Sequence, residues 1–403
     1  MKHRIMLSLL GILLLTGCWD NVEIHERGYV LGVAIDKAQP IPKGQEPEKD
    51  YLSERDIEKM PLQQDKAQYA YTLQIPVVAK AKNRPAGAGA GSQGDATWDM
   101  TIIGNSFMEA NREFSTRIEN PPFYEHLQAI VISEDVAREG VSKVLDLFLR
   151  DPEMRRRTRL FIAPGEAKKI INVAPRIEDY PSLYLAGLST NFERTARMVY
   201  VADLGQISEN LHAGIDFVLP RVVATKDEIK NAGAAVFKGD KMVGWLGEID
   251  VIFLLWVRNY VQGGVIVIED THEHKGLVTL EVLKVDTKVR PMVEGDKIKM
   301  SIDIKAQFNI AEKYEIGRES AFDDEYIKRL EKKAADYIKE QIQDTIKYVQ
   351  KKYGTDIFFF GLQMKRYQPK VWKQVEDDWD DIFKDIETEI TVKARIKQIG
   401  TMK

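Results

Sequence analysis

A single cysteine, Cys18, stands in a chain of 403 residues. No disulfide can form within the molecule, so each domain must be closed by its own buried core. The sequence has the material for this, with 44% hydrophobic and 30% charged residues, the balance of a folded globular protein. Its length allows two or three domains. Beyond the first eighteen residues the longest apolar run is Val251 to Val257, seven residues, whereas a membrane-spanning helix needs about 20. There are 58 Lys plus Arg against 62 Asp plus Glu. Without Lys2 and Arg4 the balance is 56 against 62, a net charge of −6, so there is no basic excess suited to nucleic acid.

The position of Cys18 carries further information. Lys2, His3 and Arg4 precede eleven residues, Ile5 to Leu15, interrupted only by Ser8 and Gly11, the charged and apolar regions of an export signal. As a helix rising about 1.5 Å per residue this segment falls far short of the roughly 30 Å hydrocarbon core. It ends in Leu15-Thr16-Gly17-Cys18, the form of a bacterial lipoprotein precursor. Residues 1–17 are therefore expected to be a lipoprotein signal peptide cleaved after Gly17, leaving Cys18 as an N-palmitoyl, S-diacylglycerol cysteine. Each buried CH₂ contributes about 0.8 kcal/mol, so one chain binds marginally and two hold a protein on a membrane. The expectation is a soluble body attached to membrane lipid through Cys18.

Along the body the pattern predicts an α+β fold: three mixed α/β domains behind the signal peptide. The first, residues 18–200, has buried strands at Tyr29 to Asp36 and Tyr69 to Val78, with Pro76 favouring a sheet edge. Two irregular insertions fall at 37–66, rich in proline and charge, and at 80–95, which contains PAGAGAGSQG. Strands near 98–103, 128–132 and 159–163 then alternate with helices near 106–118, 133–150 and 164–172. Ser133 is placed to cap the helix opened by Glu134 and Asp135. Helices at 182–197 and 203–213 follow.

A middle domain, 201–275, begins where hairpins appear, Gly239-Asp240 forming a two-residue turn. It continues with an apolar helix over 248–260 and a strand over 265–269. The C-terminal domain, 276–403, is expected to be an antiparallel sheet with a long packed helix. Met300, Ile302, Ile304, Ala306 and Phe308 alternate with polar residues and give a strand with one buried face. The helix, about 323–353, carries Tyr326, Ile327, Leu330, Ala334, Tyr337, Ile338, Ile342, Ile346 and Val349 in one stripe and stops at Gly354. A helix near 370–386 and a strand near 389–399 finish the chain.

Few residues suggest chemistry. Gly89-Ala90-Gly91-Ser92-Gln93-Gly94 fits a dinucleotide pattern but lacks the strand and helix that would aim its amides at phosphate. His272-Glu273-His274, with Asp270 nearby, offers too few ligands for zinc and reads as a turn. His25, His126 and His212 are isolated. Arg150, Arg155, Arg156, Arg157 and Arg159 form a basic segment, and Glu376, Asp377, Asp378, Asp380 and Asp381 an acidic one without an EF-hand glycine. The basic segment could engage lipid phosphates or an acidic partner, although such a charge run beside a turn usually stays solvated; the acidic one reads as a solvated helix face. No GxSxG, SxxK, HExxH or GxxxxGK[ST] occurs. No enzyme, cofactor or metal site is expected.

Several segments, taken in order, resemble the Ger(x)C family, the lipoprotein C subunits of nutrient germinant receptors in spore-forming bacteria. They are Gly17-Cys18-Trp19-Asp20 with Glu23-Ile24, GVAID at 32–36, His126 with IVISEDVAREG, Arg150-Asp151-Pro152-Glu153, and FIAPGEAKKII. The Trp245 and Trp256 region, Asp356-Ile357-Phe358 with Gly361, and Trp372 with Asp378-Trp379 complete the set. The resemblance covers the mature chain apart from the two insertions. It implies a non-catalytic subunit on the outer face of the spore inner membrane, working in nutrient sensing with two integral membrane subunits, A and B. It transfers Cys18 as the modified site and leaves any contact with the germinant open. A solute-binding lipoprotein of an uptake system is the alternative, with a tethered cell-wall enzyme behind it.

Overall fold

A computed structural model describes residues 26–39, 68–77, 96–173, 175, 177–200, 202–270, 276–295, 297–314 and 323–398. Cys18, His25, His272, His274, the 89–94 glycine pattern and nearly all of both insertions lie outside these residues.

The first sheet opens with β1 (Gly28–Tyr29) and β2 (Gly32–Lys37), followed by β3 (Tyr69–Pro76), β4 (Thr97–Gly104) and α1 (Phe107–Phe114). Next come β5 (Pro122–Phe123), β6 (Ala129–Ser133), α2 (Glu134–Glu139), α3 (Val141–Arg150) and β7 (Arg159–Ala163). Helices α4 (Ala167–Ile171), α5 (Pro181–Leu188) and α6 (Leu204–Ala213) lead to β8 (Phe217–Ala224), β9 (Ile229–Lys238) and β10 (Lys241–Leu246). Eight strands form one sheet in the order β10-β9-β8-β7-β6-β2-β3-β4, while β1 pairs with β5 separately.

The central strands β2, β6 and β7 are parallel, and they are apolar at nearly every position because helices cover both faces. Val33, Ile35, Ile130, Ile132, Leu160 and Ile162 pack with α1, α3 and α6. Ala34, Ala129, Val131 and Phe161 pack against α4 and α5.

Three local expectations change here. The junction expected near residue 200 does not open a separate sheet: β8 joins β7 at one register pair, Ile162↔Arg221, and carries the β8–β10 hairpins onto the same sheet. Strand β3 is interior, between β2 and β4, but Pro76 is its last residue. The β2 ladder ends at Gly32↔Gln74, so no neighbour on that side needs a donor from residue 76. Ser133 stands at the N-cap of α2 without capping it, its hydroxyl unpaired among the described residues.

The second sheet has the order β11-β12-β13-β14, built from β11 (Val265–Asp270), β12 (Gly276–Glu294), β13 (Lys297–Tyr314) and β14 (Glu387–Gln398). Strand β11, expected to close the middle domain, pairs with β12 from Val265↔Glu281 to Asp270↔Gly276, so this sheet begins before residue 275. It is antiparallel through β13, but β14 runs parallel to β13. The cause is the connection. A long helix, α8 (Asp324–Lys352), and the short α9 (Phe360–Tyr367), α10 (Pro369–Val375) and α11 (Trp379–Asp385) return the chain to the end from which β13 started. The single helix expected over 370–386 is two, broken at Glu376–Asp378, with Asp380 and Asp381 in the first turn of α11 where the dipole favours them.

Helix α8 follows its sequence closely. Asp323 accepts from the Glu325 amide at 2.8 Å, and Gly354 ends it with φ 56°. Its stripe from Tyr326 to Val349 packs with the inner face of β13 and with α7 (Glu248–Val257) in one core, buried except for Ile327 and Tyr337, which lie half-buried at its edge. Each such side chain contributes about 1.5–3 kcal/mol on burial against about 1 for a cap, so the stripe holds the helix. Trp256 of α7 is fully buried and stacks on Phe308 at 6.3 Å.

Candidate functional site

Two buried carboxylates explain why separated sequence segments belong together. Asp36, at the end of GVAID, accepts from the Ala167 amide at 2.6 Å and the Lys168 amide at 2.9 Å. It thus binds the first turn of α4, formed by FIAPGEAKKII. Lys168 in turn donates through Nζ to Thr101 at 2.8 Å. Between α8 and α9, Asp356 accepts from the amides of Phe360 (3.0 Å) and Gly361 (2.6 Å) and from Trp379 Nε1 (3.0 Å). A Cβ at Gly361 would lie 2.8 Å from Trp379 Nε1 and 3.0 Å from the Trp372 ring, so only glycine fits there. Burial pushes both carboxyls above their ordinary range while the amide donors pull them back. These residues position backbone.

A cleft does open beside the second of them. Helix α7 ends at Val257, and the chain turns through Arg258 and Asn259. Asn259 Oδ1 accepts from the Thr287 amide at 2.9 Å, and Thr287 Oγ1 donates to the Trp256 carbonyl at 2.7 Å, fixing the turn to β12. Arg258 Nε donates to the Ile357 carbonyl at 2.6 Å, and its guanidinium lies 3.9 Å from the centroid of the Phe359 ring. Its Nη2 is buried with no hydrogen-bond partner among the described residues, and burial lowers its pKa to about 10.

The cleft has a volume of about 290 Å³, and its walls include Lys288 and Arg290 from β12 and Gln363, Arg366 and Tyr367 from α9. Among the described residues the only non-glycine positions with positive φ are Asn259 (58°) and Phe359 (66°), one on each side of it. A bulky residue in that region costs about 1–2 kcal/mol, which the surrounding packing must offset. Among the described residues no acidic side chain lines the cleft. The arrangement can bind an anion; it holds no nucleophile beside a base.

Elsewhere the structure separates the residues that the sequence singled out. His126 packs edge-on against Tyr29 at 4.9 Å, and His212 Nδ1 lies 2.9 Å from the Ser208 carbonyl. The basic segment is largely paired in place: Arg150 with Asp146 (2.8 Å), Arg155 with Glu125 (3.7 Å) and Arg156 with Glu209 (3.9 Å). Of the acidic run, Asp380 meets Lys238 and Asp381 meets Lys384, each at 2.6 Å. Among the described residues no group of three or more His, Cys, Asp or Glu could hold a metal ion, and no helix is long and apolar enough to cross a membrane. A second polar cluster lies under β3 and β4. Gln74 Oε1 accepts from Ser182 Oγ at 2.7 Å, and neighbouring Asp99 is pushed up to about 6 by burial. It is internal to the fold.

The cleft itself escaped the sequence reading because its walls come from three segments roughly 30 and 70 residues apart. The available signals were slight: Arg258-Asn259 at the end of an apolar helix, and Lys288 and Arg290 two apart on one strand.

Comparison with known proteins places the chain. Residues 20–224 match a family described as the spore germination protein N-terminal domain, and residues 232–400 match the spore germination B3/GerAC-like C-terminal family. Spore germination protein YndF of Bacillus subtilis is 29% identical over 96% of this chain and 94% of its own length. Spore germination proteins A3 and B3 of the same organism are 27% and 26% identical over 100% of this chain and 99% and 98% of theirs. A crystal structure of the GerBC protein shares the fold, with a TM-score of 0.58 at 24% identity over 82% of this chain and 94% of that one. The segments that the two buried aspartates tie together are those on which the resemblance rested. The chain belongs to the Ger(x)C family of spore germination proteins.

Proposed function

We propose that this protein is the lipid-anchored C subunit of a nutrient germinant receptor and acts without catalysis beside the integral membrane A and B subunits. The observation that carries this reading is end-to-end membership: the family matches begin at residue 20, two positions after Cys18, and run to residue 400. Acylation of Cys18 after cleavage at Gly17 would hold the body on the outer face of the spore inner membrane, two acyl chains being enough for stable attachment. The fold supports a body of this kind, since Asp36 and Asp356 spend their acceptor oxygens on backbone and indole donors and so serve architecture. A solute-binding lipoprotein would be expected to form two lobes of parallel βαβ units, and the second sheet here is antiparallel through three of its four strands.

Deleting the gene and following the optical-density loss of spores given single nutrients tests the proposal. At least one nutrient response should be lost. Spores that respond normally to every nutrient but grow poorly on a solute as vegetative cells would favour the uptake reading instead.

A further inference from the structure

We propose that the cleft between the end of α7, β12 and α9 is a binding site for a phosphate-bearing anion. Arg258, Lys288, Arg290 and Arg366 converge on it, and among the described residues no carboxylate lines it. This runs against the chain as a whole, which has a formal net charge of −4 and pairs many of its surface cations with acids, as at Arg150–Asp146 and Lys238–Asp380. Among the described residues none of the four cleft cations forms an ion pair with a carboxylate. Asp356 lies behind Arg258, but its oxygens are taken by Phe360, Gly361 and Trp379. It offsets at most one of the four charges.

Folding does not require this cluster. Lys288, Arg290 and Arg366 are exposed at the rim and hold no core residue in place, while their mutual repulsion weakly opposes the fold. Arg258 differs in being held rigidly, its Nε on the Ile357 carbonyl and its plane over Phe359, with Nη2 left as a buried donor without an acceptor. A preoriented guanidinium with a free donor is suited to an oxyanion.

Geometry selects the class. A carboxylate offers two oxygens in one plane, whereas a phosphate sets its terminal oxygens tetrahedrally, two in a diester with one negative charge and three in a monoester with nearly two, so donors on different walls can each meet one. At about 290 Å³ the cleft is larger than a bare phosphate, and Phe359, Tyr367 and Val289 supply apolar wall for an organic remainder. The phosphate could be that of a free ester or of a lipid headgroup, since the donors recognise the same oxygens. The site does not depend on the receptor-subunit reading.

Calorimetric titration of the full chain at low ionic strength tests the assignment with three probes: inorganic phosphate, glycerol 3-phosphate, and glycerophosphoglycerol, the deacylated headgroup of phosphatidylglycerol. Saturable binding of at least one is expected. The rim variant Arg290→Gln/Arg366→Gln should weaken it at least tenfold with the thermal midpoint unchanged, and Lys288→Gln should act in the same direction. Preference for the monoester identifies a free ester as the source, and preference for the diester a lipid headgroup. No saturable binding by any probe, or binding that the rim variants leave intact, overturns the proposal.

Discussion

Replacing Asp356 by alanine should unfold the corner around α9 and α11 at a cost that follows from its contacts. The carboxylate accepts from two amides and one indole nitrogen at 2.6–3.0 Å, and the site is buried. A buried donor left without an acceptor costs about 1–3 kcal/mol, so three dry donors would cost about 3–9. A carboxylate-sized void lined by three donors is polar enough to admit a water that satisfies one or two of them. The expected loss is therefore about 3–5 kcal/mol. Asp356→Asn keeps one acceptor oxygen and should lose less.

Urea unfolding followed by tryptophan fluorescence measures the effect, because Trp379 and Trp372 stand 5.1 Å apart at this corner. Amide exchange at residues 360 and 361 should accelerate in parallel. A loss below about 1 kcal/mol, or exchange unchanged at those two amides, would mean that Asp356 does not organise the segment and would refute the reasoning.

Two further substitutions test other parts of the fold. Asp36→Ala removes the acceptor for the first two amides of α4 and should cost about 2–3 kcal/mol, read as faster amide exchange confined to 167–171 while the β6 amides stay protected. Asp99 is pushed up to about 6 by burial from an ordinary 3.8, so the native state holds its proton over a range where the unfolded chain has lost it. Stability from this group is therefore full below about pH 4 and falls as pH rises to about 6. Asp99→Asn should flatten that part of the curve and raise the unfolding free energy at neutral pH by at most about 3 kcal/mol before discounting for partial exposure, with the thermal midpoint rising accordingly; a variant with the parent's pH profile would contradict the assignment.

What the sequence made legible was local. Helix α8 announced its stripe and its Gly354 stop, since each depends on residues a few positions apart. The inner face of β13 was equally plain. Sheet membership was not, because it is decided by pairing between distant segments. Nothing within residues 217–246 shows that β8 will lie against β7, and nothing in Val265–Asp270 shows which sheet it joins. The parallel setting of β14 follows from the helices that precede it, and the strand's own alternation cannot reveal it. The aspartates of GVAID and DIF could be recognised in order, but their work as caps appears only when residues about 130 apart, such as Asp36 and Ala167, are seen in contact. The cationic cleft was hidden for the same reason.

The central claim, a receptor subunit that acts from a lipid anchor, is tested most directly in spores carrying Cys18→Ala at the native locus. The measurement is optical-density loss after single nutrients, with the protein quantified in the inner-membrane fraction. The account predicts that the protein leaves that fraction and that the nutrient response lost on deletion is weakened to a similar degree. Normal germination with the protein fully detached from the membrane would contradict it.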